Sequence, residues 1–165
     1  MILTLFTLAH VVISLAGILA GIPVLFGLLT HRQFDRWNLV FLATTVSTSA
    51  TGFLFPVQHF MPSHAVGIIS LVVLAAAIFA RYARHLNGPW RKVYTIGAVL
   101  ALYLNVFVAI VQAFLKTPAL KALAPTQTEL PFKATQLAVL ALFIALGVVA
   151  TVRFHAKAGQ TISIN

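Results

Sequence analysis

The sequence predicts an all-α protein, a polytopic transmembrane helix bundle with five membrane-spanning helices. Three observations carry this. The 165 residues are 61% hydrophobic and 8% charged, with a mean hydropathy of +1.01. A soluble domain is about half apolar and a quarter charged. The surplus is spread along the chain in five runs, each long enough to cross a hydrocarbon core of roughly 30 Å. The basic residues gather at or between the ends of those runs. No soluble domain is marked off, so residues 1–165 are expected to form one membrane domain.

The first run covers residues 2–30, with a kink expected at Pro23. No Lys or Arg precedes Arg32, so the positive start of a cleaved signal peptide is missing and the run is expected to stay as a helix. The second run covers 38–56, the third 64–83, the fourth 93–115 and the fifth 132–154. HRQFDRWN (31–38) and RHLNGPWRK (84–92) are short basic connections, each with a Trp. PVQHFMPSH (56–64) is uncharged. In KTPALKALAPTQTELPF (116–132), Thr117 and Pro118 have the form of an N-cap followed by proline at the first helical position. A short interfacial helix through Ala124 is expected there. Thr126 and Glu129 then have capping-box spacing ahead of the fifth run.

Charge sets the orientation. Arg32, Arg36, Arg81, Arg84, Arg91, Lys92, Arg153 and Lys157 fall on one side of a five-span arrangement. Lys116, Lys121 and Lys133 fall on the other. The richer side is expected to be cytoplasmic, which puts the N-terminus outside and the C-terminus inside. The expected location is a cell membrane, first of all a bacterial inner membrane. The lipid bilayer is then the partner of the basic loops, and the formal charge of +9 does not point to nucleic acid. Absence of Cys excludes disulfides, thiol nucleophiles and cysteine-held clusters.

Residues 44–51, TTVSTSAT, carry six hydroxyls inside an apolar run. Helical spacing puts Thr44, Ser47, Thr48 and Thr51 on one stripe, widened by Thr45, Ser49 and Gly52. Val46, Ala50, Phe53 and Val57 form the opposite stripe, expected to face lipid. His10, Ser14, Gly17 and Gly21 align on the first run. Tyr94, Ala98, Ala101, Asn105, Ala109, Gln112 and Lys116 align on the fourth. Gly67, Ser70, Ala77 and Arg81 align on the third, and the fifth brings Lys133 and Gln136. At 1.5 Å per residue, these polar groups gather in the outer half of the bundle.

Hydroxyls and glycines alone serve close helix packing. Amides and a histidine at depth are costly and tend to interact or function. The expected ligand-binding set is therefore His10, Ser14, Thr44, Thr48, Thr51, Asn105, Gln112 and Gln136. His31, His85 and His155 lie at basic span ends and read as interface residues. His59, Met61 and His64 could ligate copper by residue type, but their spacing matches no metal signature. His10 is the one histidine well inside a run. A quinone, or a haem if His64 approached, could use it.

Enzyme chemistry is disfavoured. The only acids, Asp35 and Glu129, fall in connections, so no paired carboxylates lie within the membrane. There is no phosphate-binding glycine loop and no HExxH. Three functions remain. The first is a non-enzymatic binder or carrier of a small amphipathic ligand, alone or as a homo-oligomer. The second is a redox-associated subunit with quinone or haem near His10. The third is an accessory or assembly subunit of a larger membrane complex.

Overall fold

A computed structural model describes residues 2–55 and 62–156. The expectations placed on Val57, His59, Met61 and Lys157 lie outside the described residues. Those residues form a helical bundle: α1 (Ile2–Thr30), α2 (Asp35–Gly52), α3 (Pro62–Ile78), α4 (Trp90–Lys116), α5 (Pro118–Leu123) and α6 (Leu130–Ala156). α3 continues into a π-helical turn over Phe79–Ala83. Among the described residues, four segments are long and apolar enough to cross a membrane: Leu3–Thr30, His64–Ala83, Trp90–Lys116 and Leu130–Phe154. Large apolar side chains such as Leu5, Leu19, Val72 and Val152 are exposed along these helices, as a lipid-facing surface requires. The chain is a multi-pass membrane protein in its architecture.

α2 departs most from expectation. It starts at Asp35, inside the expected loop, and ends at Gly52 rather than running to 56. Asp35 is favourable in the first turn because its carboxylate complements the positive helix end. At the other end, Phe53 and Leu54 bond back to the carbonyls of Ala50 and Thr51, which tightens and stops the helix. Its charged first turn and hydroxyl-rich second half keep α2 out of the set of four strongly apolar segments.

α4 is the central helix. It packs against α3 and α6 and also reaches α1, while α1 packs against α2 and α6, and α2 against α3. Small residues make the close approaches. A methyl group at Gly97 would stand 3.0 Å from Ala77 Cβ on α3. One at Gly21 would meet Leu102 of α4 at 2.4 Å. The buried core includes Val24 and Leu28 of α1, Phe41 and Leu42 of α2, Leu74 and Ala77 of α3, Tyr94 and Leu102 of α4, and Ala150 and Phe154 of α6. It therefore lies in the half of the bundle next to the basic loops.

Those loops are tightly built. His31 adopts a left-handed φ of 59° and Arg32 N–H bonds Gly27 O at 2.9 Å, the pattern that closes a helix end with a C-terminal cap. Gly27 is needed there, since a methyl group on it would lie 2.6 Å from the Arg32 carbonyl oxygen. The short interfacial helix is present as α5, with Pro118 at its first turn, although Thr117 makes no side-chain cap bond.

Candidate functional site

The face that α2 turns inward is rotated from the expected one. Asn38, Phe41, Leu42 and Thr45 are buried, and Val46, expected against lipid, packs on the core. Ser47, expected inward, is exposed and donates to its own Ala43 carbonyl at 2.8 Å. The reason is local. A helical Ser or Thr can satisfy its hydroxyl one turn back on its own backbone, so polarity alone does not decide which way it faces. Ala50 and Phe53 are exposed as expected. The Phe53 ring nonetheless covers Gly67 and stacks on His64 at 5.6 Å between centroids.

Within that correction, α1, α2 and α4 still converge in polar contacts. His10 Nδ1 lies 2.8 Å from Thr51 Oγ1. Ser14 Oγ donates to Asn105 Oδ1 at 3.1 Å, and Asn105 Nδ2 reaches toward the Ser14 carbonyl at 3.5 Å. Gly17 lies beneath them. A methyl group there would stand 3.0 Å from Asn105 Nδ2, 3.1 Å from Thr44 Oγ1 and 3.2 Å from Thr45 Oγ1. The steps match in antiparallel register: seven residues separate His10 from Gly17, and seven separate Thr44 from Thr51. The Gly17 level is therefore a packed floor of three helices.

The space above it is looser. A methyl group at Gly52 would find only His10 Cε1, at 3.9 Å. The His10 ring meets Phe55 edge-on at 5.1 Å, and Phe55 in turn packs on Phe6 at 4.9 Å. Thr51 fixes the state of the neutral imidazole. Its hydroxyl proton goes to the Ser47 carbonyl at 2.7 Å, so its oxygen accepts from His10 Nδ1–H. Nε2 is then the acceptor nitrogen. Thr44 donates to the Val40 carbonyl at 2.6 Å. The buried hydroxyls of Thr45 and Thr48 have no hydrogen-bond partner among the described residues.

Two expected members stand apart. Gln112 is exposed on α4, where its long side chain near the helix end can reach the interface instead of the bundle. Gln136 is buried on α6 and donates to the Phe107 carbonyl at 3.3 Å, with its Oε1 unpartnered among the described residues. It ties α6 to α4 and has no bond to the His10–Asn105 group. His64 stacks on Phe53.

A second polar cluster, at the basic end, joins α2, the π turn and α4. Arg81 Nη2 lies 2.5 Å from Asp35 Oδ1, and its guanidinium stands over the Tyr94 ring at 5.2 Å. The Tyr94 hydroxyl donates to Asn38 Oδ1. Asn38 Nδ2 in turn donates to the Phe34 carbonyl at 3.3 Å. Sequence reasoning assigned Asp35 to a loop and Arg81 to topology, and so missed the cluster. The signal was present: Arg81 ends an inward stripe on α3, Tyr94 begins one on α4, and Asp35 is one of two acids in the chain.

The far loop has its own anchor. Glu129 Oε1 accepts from the Thr126 hydroxyl at 2.8 Å and the Thr126 amide at 3.2 Å. The hydroxyl bond, aided by backbone amides, holds the Glu129 carboxyl below its usual pKa. No group of three or more His, Cys, Asp or Glu side chains that could hold a metal occurs among the described residues. No known family model, curated protein or solved structure matches this chain.

Proposed function

We propose that the chain is a non-enzymatic membrane protein that binds, or carries, a small amphipathic ligand at the His10 site. The observation that supports this reading is a floor of three packed helices beneath a set of uncommitted polar atoms. His10 turns an acceptor nitrogen, Nε2, away from its bond to Thr51, and the buried Thr48 hydroxyl has no partner among the described residues. A buried polar group without a partner costs about 1–3 kcal/mol, which a ligand bearing both a donor and an acceptor would recover. Phe6 and Phe55 give its apolar part a surface. The site comprises His10, Ser14, Thr48, Thr51 and Asn105. Thr44 lies in its floor, while Gln136 and Gln112 stand apart from it.

Five spans belong to the same proposal, with the N-terminus outside, the C-terminus in the cytoplasm and a bacterial inner membrane as the location. α2 supports this by running antiparallel beside α1. Its 18 residues rise about 27 Å, close to the hydrocarbon thickness. Reporter fusions at both ends and in the 116–132 loop test it. A cytoplasmic signal from that loop sinks the five-span arrangement.

The binding experiment is lipid extraction and mass spectrometry of the purified protein beside His10→Ala and Thr48→Val. A non-phospholipid amphiphile held near one per chain, and lost from both folded variants, is the expected result. Bulk membrane lipid alone would overturn the reading.

A redox subunit is the second reading, favoured by one feature of His10. An imidazole that donates Nδ1–H and keeps Nε2 free has the arrangement of a metal-ligating histidine. A Soret band in the purified protein would select haem, and extracted quinone would select a quinone site. An accessory role in a larger membrane complex would instead appear as a stoichiometric partner at purification.

A further inference from the structure

We propose that the groove between α4 and α6 holds one acyl chain of an anionic phospholipid, with the phosphate resting on Lys92 at its basic end. The groove has a volume of about 470 Å³ and is walled by residues that include Ile96, Val99, Tyr103, Phe143, Gly147 and Thr151. Its lining is almost wholly apolar. Thr151 has no hydroxyl proton to offer, because it donates to the Gly147 carbonyl at 2.7 Å.

Length and position select the occupant. The α6 wall runs from Leu140 to Val152, a rise of about 18 Å. That is a little over half of a hydrocarbon core of roughly 30 Å, the depth of one leaflet. The groove begins at the basic end. On α4, Lys92, Ile96, Val99 and Tyr103 follow helical spacing, so the lining stripe continues by one turn onto Lys92, which is exposed. Arg91, the preceding residue, donates to the Phe154 carbonyl at 3.3 Å and joins the two helices at this same basic end. A phosphate at Lys92 and a hydrocarbon chain in the adjoining groove satisfy both halves of the surface.

Gly147 points the same way. Gly17, Gly21, Gly67 and Gly97 each leave room that a neighbouring side chain fills at about 3 Å or less. A methyl group at Gly147 would meet only Val99 Cγ1, at an ordinary 3.5 Å. Helix contact does not require glycine there, and its missing side chain deepens the groove instead.

The test is native mass spectrometry of the detergent-purified protein offered equal phosphatidylglycerol and phosphatidylcholine. One phosphatidylglycerol per chain is expected, preferred by about tenfold. Gly147→Leu should abolish retention of both lipids. Val148→Phe, which narrows the groove from an exposed position, provides the same test should Gly147→Leu fail to fold. Lys92→Gln should reduce the preference yet keep a lipid bound. Equal retention of the two lipids by the wild type overturns the proposal, as does unchanged retention by a folded groove-filling variant. Efficient dimer crosslinking through Leu140→Cys would overturn it by making a second copy the occupant.

Discussion

Arg81 and Asp35 tie the end of the third helix to the first turn of the second, with Nη2 to Oδ1 at 2.5 Å. The two ends of this bridge live in different surroundings. The Arg81 side chain is 8% exposed and that of Asp35 is 80% exposed. The aspartate retains water when the bridge is broken, and the arginine does not.

Asp35→Asn strands the mostly buried Arg81 charge and is therefore expected to destabilise the bundle by about 1–3 kcal/mol. Arg81→Ala should cost more, because the stacking on Tyr94 is lost as well. Thermal unfolding in detergent checks both. Equal losses from the two variants would mean that the aromatic contacts of Arg81 contribute nothing.

Tyr94→Phe removes the hydroxyl that donates to Asn38 Oδ1. Both residues are buried, so the stranded carbonyl should cost about 1–3 kcal/mol. Adding Asn38→Leu should recover part of that loss, since neither partner then leaves a polar atom unpaired. A double-mutant cycle reads the coupling directly.

The glycines should rank by what stands in front of them. Gly27→Ala drives a methyl group into the Arg32 carbonyl, which belongs to the backbone and cannot swing away. It should cost about 1–3 kcal/mol, the usual range for overpacking. Gly147→Ala should be near neutral. Melting temperatures of the two variants that failed to differ would contradict this order.

Glu129 makes a pH-dependent anchor. Its pKa is depressed in the folded chain, chiefly by the Thr126 hydroxyl. The stabilising contribution is thus full above the ordinary value of 4.5 and is lost as pH falls through the lower folded value. Thr126→Val should raise the Glu129 pKa, as followed by carboxyl-carbon NMR. An unchanged titration would mean that the hydroxyl bond is not formed in solution.

Long apolar runs made the helices legible in the sequence. α1 was read to both ends, and α3 with its π turn, α4 and α6 to within about three residues, the usual boundary error. The second helix was misread at both its ends and on its faces. Hydrophobicity there is diluted by Asp35, Arg36, Asn38 and the hydroxyls, and Ser47, Thr44 and Thr51 answer to their own backbone carbonyls. Helical spacing did bring His10, Ser14, Thr51 and Asn105 to one place, because deep positions on adjoining helices have few ways to satisfy an amide or an imidazole. Gln112 escaped the same logic by lying near a helix end. The Asp35–Arg81 cluster was only half legible: the stripes ending at Arg81 and beginning at Tyr94 stood in the sequence, but pairing Arg81 with Asp35 needs the relative placement of two helices, which no local pattern carries.

The π turn over Phe79–Ala83 bears on how the coding sequence of the third helix can change. A residue advances a regular helix by about 100°, so losing one codon upstream would swing every later side chain to a new bearing. A π turn already contains one surplus residue. If a codon were lost within 64–78, the turn could relax to ordinary α geometry, leaving the following loop and Trp90 in place. The region downstream of Ala83 is thereby buffered against small length changes. Arg81 would leave Asp35 in the process, so such lineages would keep the helix and lose the bridge.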